Sequence, residues 1–584
     1  MNLTNEKYKN NLIFLFIFFY YFLISIFQAS DQHWSSILDQ DVKIPYNALL
    51  VYSGFDQDYV DHPAFTTFVV LGGVYKILSF FFNGFTIQEL LSSNDIDQNM
   101  QNLFSIARIL NSIFCFLFLY LMFKILNEFR IKRYIILLAV LLIVSFNSIY
   151  ELLFLIRSEI LSVILLLLAF YLLILHIKYK TNLFYCYFSG FLFCLSLLAK
   201  IQAVFLMLIL LLLLPFFFNY FQIKKSKSEN FNQKKYFIFS VYLFSILVIG
   251  YFIFEFVFAF NILKEYVAKW RALPHYTDPV LFLIFIVFYT IILKYLSYNK
   301  LVDTKKVLNI IFAITFGFIF CVLFFLFMDQ IGIIKFAPRN VFFLTNPIHF
   351  MSPHSRQIFD ISYSGEFNFY EIIKKIKDLF IDNPKMFPNK KFTINIFGIL
   401  IEIGDFFRLI LMFLSSILLT FVILKRKNQL ISPIIFISFI GMLALILTFS
   451  VRHSFGYNIY IYPLFLIITV LVVHEIKEKK YQILIFLFIL LISLSEFYLL
   501  RDFYKYKYTR ENRIYDMCII SNYKNSLNYK LKMNENSFIP LAEDPKAFTS
   551  RFNSKMDENF FIKYCEQMKQ KASWKTNFFN IKLK

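Results

Sequence analysis

The chain has 584 residues, is 59% hydrophobic and 21% aromatic, and carries 59 Lys+Arg against 38 Asp+Glu, a formal net charge of +21. A mean hydropathy of +0.62 supplies more apolar side chain than one soluble core can use, which excludes an ordinary soluble domain. In a soluble protein that charge would suggest nucleic acid; here it fits cytoplasmic loops held against anionic membrane lipid, and no nucleic-acid partner is expected.

Apolar runs of about 17–25 residues, the length a helix needs to cross hydrocarbon, recur along the chain. They predict an all-α polytopic membrane protein with thirteen spanning helices. Their ranges are 12–29, 103–127, 134–150, 159–177, 183–200, 203–222, 236–260, 280–297, 307–328, 405–424, 430–450, 457–475 and 481–500. With the N-terminus inside, the short inner segments (1–11, 128–133, 178–182, 223–235, 298–306, 425–429 and 476–480) hold 21 Lys+Arg and 5 Asp+Glu. The short outer segments (30–64, 84–102, 151–158, 261–279 and 451–456) hold 6 Lys+Arg and 12 Asp+Glu. That asymmetry sets the expected orientation. Residues 1–500 form the predicted membrane domain, with long outer loops at 30–102 and 329–404.

The first helix lacks a small-residue cleavage site and is expected to be retained. After it, Asp31 to Pro63 carries six Asp (Asp31, Asp39, Asp41, Asp56, Asp58 and Asp61) and one Lys. Carboxylates clustered at the mouth of a membrane domain can bind a metal or accept a proton from a hydroxyl, whereas a merely solvated loop has no such task. The apolar stretch 64–83 is expected not to cross. Crossing would put the acidic loop 84–102 inside and Arg130, Lys132 and Arg133 outside, so a helix lying in the interface or on the bundle is predicted.

Further along, the loop 329–404 holds FAPRNVFFLTNPIHFMSPHSRQ and a Lys-rich amphipathic stretch at 371–378. Loops of this length are uncommon unless functional. Residues 501–584 are predicted to form a small extracytoplasmic domain, in which Cys518 and Cys565 could pair in an oxidising compartment. Cys115, Cys186, Cys194 and Cys321 fall in helices and are expected to be apolar filler.

The ionisable groups within the helices collect near the predicted outer ends. Arg108 lies one or two turns into the second helix, Arg157 and Glu159 open the fourth, Lys200 closes the fifth, and Arg452 precedes the twelfth. Taken singly, Lys and Arg at helix ends snorkel to the interface. Taken together, cations and carboxylates from distant segments fall at one depth, facing the acidic loop. Arg and Lys there can hold a phosphate by charge-assisted hydrogen bonds.

The order of these features resembles the GT-C glycosyltransferases, in particular bacterial relatives of the dolichyl-phosphate-mannose protein mannosyltransferases and the aminoarabinose transferase of lipid A. The resemblance rests on Asp39-Gln40-Asp41 after the first helix, the following YNALLVYSG, and Asp61-His62-Pro63 at the start of the membrane-lying helix. It continues through Glu159 beside Arg157, Lys200 at a helix end, and the Tyr- and Pro-rich run from Arg452 to Pro463, which includes Tyr460. It covers residues 10–215 well and the rest loosely. His62 stands where the aminoarabinose transferase has Lys, and DHPAF only partly matches the HPPLGK-like motif of the protein mannosyltransferases.

The resemblance implies transfer of a sugar from a polyprenyl-phosphate carrier to a lipid, glycan or protein acceptor on the extracytoplasmic face, with inversion. The setting it implies is a bacterial inner membrane with the site facing the periplasm or exterior. Asp41, or Asp39, would act as base on the acceptor. Lys200, Arg157, Arg452 and His62 would bind the donor phosphate, with Asp61, Glu159, Arg108 and Tyr460 completing the site. The resemblance fixes no cofactor and leaves a divalent metal, on Asp41 and Glu159, open. Two other classes remain: a secondary transporter or flippase of lipid-linked sugar, whose site belongs at the bilayer midplane with repeat symmetry, and a non-catalytic membrane scaffold.

Overall fold

The computed structural model describes residues 2–31, 40–55, 57, 64–92, 96–129, 131–144, 146–222, single positions between 285 and 297, 304–345, 347, 392–396, 399–403, 431–449, 455–476, 478–487 and 490. The expected helices 236–260 and 405–424, and the domain 501–584 with its two cysteines, lie outside these.

In chain order the helices are α1 (Asn2–Asp31), α2 (Gln40–Val51), α3 (Phe65–Leu78), α4 (Ile87–Ser92), α5 (Ile96–Asn127), α6 (Arg133–Val144) and α7 (Asn147–Phe154). There follow α8 (Glu159–Tyr179), α9 (Phe184–Ala199), α10 (Ala203–Gln222), α11 (Thr304–Gln330) and α12 (Pro338–Thr345). After these come α13 (Ile431–Phe449), a 3-10 helix (Phe455–Tyr460) and α14 (Tyr462–Glu475). A two-stranded antiparallel hairpin, β1 (Phe392–Ile396) with β2 (Ile399–Ile403), stands between α12 and α13, so the chain is helical but not wholly α.

Among the described residues, three stretches, Gln98–Asn127, Glu159–Tyr179 and Thr304–Gln330, are long and apolar enough to cross a membrane, and six shorter apolar helices accompany them. The molecule is a helical membrane protein. Large apolar side chains such as Phe16, Phe316, Phe320 and Leu323 are exposed on helix surfaces, which suits a hydrocarbon solvent and no aqueous one.

Two ends of the bundle can be told apart by their hydrogen bonds. At one, Glu128 after α5 accepts from Lys178 of α8 at 2.7 Å and from the Tyr179 hydroxyl at 3.0 Å. The Tyr220 hydroxyl of α10 donates to the Phe129 carbonyl, and Tyr134 of α6 bonds Gln482 beyond α14. This end carries the short basic loops predicted to lie inside. Glu159 lies 19 residues before Lys178, about 28 Å away at 1.5 Å per residue, roughly one hydrocarbon thickness.

The other end is built across by loop one. Thr66 of α3 donates to the Leu195 carbonyl of α9 at 2.7 Å, and Tyr75 of the same helix donates to the Leu103 carbonyl near the start of α5 at 2.7 Å. These two bonds tie α3, 14 residues long, to α9 and to α5. A Cβ on Gly72 would collide with the Ala48 carbonyl, so α2 and α3 pack backbone to backbone. The segment after α11 then ties loop one down: Lys335 N–H donates to the Val51 carbonyl, Gln57 to the Lys335 carbonyl, and Asn340 to Gln57.

The predicted helix 134–150 is broken. α6 stops at Val144 and α7 restarts at Asn147, where Asn-Ser favours a helix start over a helix interior. The Tyr21 hydroxyl of α1 donates to the Val144 carbonyl, and Tyr20 bonds Tyr150, so the polar groups at the break are supplied from α1.

Candidate functional site

The site forms where α8 begins and α9 ends. These helices are an antiparallel pair, so Glu159, the first residue of α8, and Lys200, the C-cap of α9, meet at the same end. Lys200 Nζ lies 3.1 Å from Glu159 Oε1, with both side chains at most 1% exposed. One turn inward the pair is clamped: Ser162 donates to the Ser196 carbonyl at 3.1 Å and Ser196 to the Ser162 carbonyl at 2.7 Å. Such interhelical bonds contribute about 0.6–2 kcal/mol each in a membrane. Their larger effect is to fix the register that brings the two charges together.

Arg157 stands in the turn before α8, buried, with its charge acting on the Glu159 carboxylate. That turn is held by Asn111 of α5, which donates to the Leu155 carbonyl at 2.6 Å. Arg108, one turn before Asn111 on the same face of α5, is 1% exposed and stacks near Phe104. The fourth wall is the 3-10 helix, packed on α7 and α8. Its Tyr457 ring lies 5.9 Å from Lys200 Nζ, and its buried Tyr460 adjoins Glu159 and Ser162.

Of the residues expected at the site, Glu159, Lys200, Arg157 and Tyr460 come together, and Arg108 shares the helix face that braces them. Asp41 lies in the first turn of α2, with its side chain outside the described atoms. Asp39, Asp61, His62 and Arg452 lie outside the described residues. Sequence reasoning passed over Ser162, Ser196, Asn111, Tyr457 and Gln202. Gln202 and Tyr457 sit inside segments whose charged neighbours drew the attention.

Among the described residues, Glu159 has no second carboxylate, His or Cys beside it to complete a divalent-cation site, and Asp41, its expected partner, has its side chain outside them. Lys200 holds one carboxylate oxygen, Arg157 adds a second positive charge, and no group of three His, Cys, Asp or Glu occurs among the described residues. Among the described residues, two buried cations adjoin one carboxylate, and Lys and Arg in such a setting can hold an anion by charge-assisted hydrogen bonds.

These features define a helical membrane protein with a buried, cation-rich polar site at one end of its bundle. Among solved structures, the chain is similar to the archaeal oligosaccharyltransferase AglB from Archaeoglobus fulgidus in complex with an inhibitory peptide and a dolichol-phosphate. The identity is 11% and the TM-score 0.39, over 89% of this chain and 59% of that one, so the chain spans about three fifths of that protein's length. The sequence matches no protein-family model and no curated protein.

Proposed function

We propose that this protein is a polyprenyl-phosphate-sugar-dependent glycosyltransferase of the GT-C type. It would move a sugar from the lipid carrier to a lipid, glycan or protein acceptor on the extracytoplasmic side of the membrane. The observation that carries the reading is the burial of Lys200 and Arg157 around one carboxylate, at a helix end overlaid by the loop-one helices. A cation in this position is costly to desolvate, and binding an anionic head group whose tail lies in the bilayer repays that cost.

In this reading Lys200 and Arg157, with His62 and Arg452 from the segments that flank the site in sequence, neutralise charge developing on the leaving lipid phosphate. Glu159 holds Lys200 in place and keeps the cations from repelling one another. The base comes from the acidic loop: Asp41 or Asp39 takes the proton of the acceptor hydroxyl as its oxygen attacks the anomeric carbon from the face opposite the phosphate. That single displacement inverts the anomeric centre. A transporter is less well supported, because the buried charges lie at helix ends about 28 Å apart along α8 and not at a midplane site.

The test is single-turnover transfer by the full chain in proteoliposomes, using a polyprenyl-phosphate-linked hexose and following release of polyprenyl phosphate. Wild type should release it, and Lys200→Ala should bind the donor more weakly and turn over more slowly. Absence of both donor binding and release by wild-type protein, across hexose and aminopentose donors, would overturn the proposal.

A further inference from the structure

The turn that joins α9 to α10 is buried along its whole length. From Ala199 to Val204 no residue exceeds 3% exposure. It is tightly wound, with Lys200 N–H donating to the Ser196 carbonyl and Ala203 N–H to the Lys200 carbonyl. Turns between membrane helices ordinarily face water, where their polar groups are solvated. This one faces protein, and it carries Gln202, whose Oε1 is buried with no hydrogen-bond partner among the described residues. Two further unpartnered atoms belong to the site. Glu159 Oε2, the carboxylate oxygen not held by Lys200, has no partner among the described residues, nor has the Ser158 hydroxyl beside it.

An unmade hydrogen bond at a buried polar atom costs about 1–3 kcal/mol, so these three atoms would gain from a partner of suitable chemistry. Their chemistry restricts what would satisfy them. A carboxylate oxygen is an acceptor only, and so is an amide Oε1. The ester oxygens of a lipid phosphate are acceptors as well, so the phosphate that suits Lys200 and Arg157 cannot satisfy Glu159 Oε2 or Gln202 Oε1. A hydroxyl can. If the Gln202 amide is turned to present its nitrogen, a hydroxyl still serves, because it accepts as well as donates.

We infer that Gln202, with Glu159 Oε2, forms the subsite that recognises the hydroxyl groups of the donor sugar, next to the cations that take the phosphate. The inference rests on the glycosyltransferase reading and adds a division of labour to it. Cations select the phosphate common to all such carriers, and the acceptor atoms select the sugar ring attached to it. A site built to pair with a hydroxyl rejects an analogue lacking it far more strongly than an apolar pocket rejects an extra group.

The test measures binding of two lipids to the full chain in nanodiscs: a polyprenyl-phosphate-linked hexose, and the same polyprenyl phosphate without sugar. Wild type should bind the sugar-bearing lipid more tightly. Gln202→Met, close in volume and without the polar atoms, should weaken that lipid about 10-fold and leave the bare lipid within 2-fold, so that the preference collapses. Gln202→Glu, which keeps an acceptor at the same position, should retain more of the preference than Gln202→Met. Equal weakening of both lipids by Gln202→Met, with an unchanged melting temperature, would overturn the assignment, as would an unchanged preference. Should Gln202→Met melt early, a preference that Gln202→Glu loses as fully as it loses hexose binding would overturn it too. Failure of wild type to bind either lipid would instead sink the glycosyltransferase reading itself. Binding of both lipids with equal affinity by wild type would remove the sugar subsite and leave the phosphate site standing.

Discussion

The Glu159–Lys200 pair makes an unequal-cost prediction for its two halves. Both side chains are at most 1% exposed, so removing either leaves a buried charge, a loss of about 3–5 kcal/mol when nothing else compensates. The surroundings are not symmetric. Arg157 also acts on Glu159. In Lys200→Met the carboxylate therefore keeps one cation, and the loss should fall near the lower figure, about 3 kcal/mol. In Glu159→Gln both Lys200 and Arg157 lose the carboxylate they share, and the loss should reach the upper figure, about 5 kcal/mol. The double variant removes one charge of each sign and leaves Arg157 as it would be beside any neutral neighbour. It should recover several kcal/mol relative to the sum of the singles, a coupling at or above the top of the usual ~0.5–3 kcal/mol range. The assay is reversible denaturation of purified protein in one detergent, followed by tryptophan fluorescence and by far-ultraviolet circular dichroism. Equal costs for the two singles would refute the role given to Arg157. Additive costs in the double variant would refute the pairing itself.

The remaining predictions address packing, catalysis and topology. A Cβ on Gly190 would collide with the Ile314 backbone carbonyl, and one on Gly317 with that of Tyr187, whereas one on Gly73 would meet the Tyr52 hydroxyl at 3.3 Å, a contact relieved by a shift of a few tenths of an ångström. Gly190→Ala should therefore lower the melting temperature by the equivalent of about 1–3 kcal/mol, with Gly73→Ala near neutral, and a reversed order would argue against the α9–α11 crossing. Lys178→Ala breaks the ion pair at the opposite end and should reduce stability without altering donor binding, which lipid-binding titration checks. Asp41→Asn should reduce turnover by about 10²–10⁴ with donor affinity retained, and normal transfer by Asp39→Asn, Asp41→Asn and Asp61→Asn alike would exclude loop one as the source of the base. Membrane-impermeant thiol labelling should reach Gln40→Cys and Asp95→Cys from outside and miss Ser228→Cys; the opposite pattern would invert the orientation.

How far the sequence disclosed this arrangement depends on which physical term decides each feature. The spanning helices were legible because a bilayer imposes a length and a composition, and α5, α8, α9, α10 and α11 fall where the apolar runs place them. Segment 64–83 was legible only through charge: its hydropathy argues for crossing, and the sidedness of its neighbours argues against. The structure adds that Thr66 and Tyr75 tie this helix to α9 and α5. The break at Val144 was not legible, because an apolar count runs through it, and the groups that make it tolerable, Tyr20 and Tyr21, lie more than a hundred residues away. At the site, sequence position brought out the charged residues. It could not bring out Ser162 and Ser196, which set the register of the charges and look like ordinary small residues in any helix.

The two ends of α8 together argue for where function resides. Each end holds a buried or half-buried carboxylate paired with a lysine from another segment, so composition and pairing alone do not distinguish them. Satisfaction does. Glu128 Oε2 accepts from both Lys178 and Tyr179, and Lys178 also donates to the Glu128 carbonyl, so the group is closed in the protein itself. At Glu159 one oxygen is paired and the other is not, and the adjoining Ser158 hydroxyl and Gln202 amide oxygen also lack partners. Burial of an unsatisfied group is destabilising; the opposite end also has such atoms among the described residues, His176 Nδ1 and Thr181 Oγ1, but its carboxylate is not one of them. A polar arrangement completed within the chain holds two helices together; one completed by something from outside holds a ligand. The proposed function then predicts that substitutions at Glu159 separate binding from stability, whereas substitutions at Glu128 change stability alone.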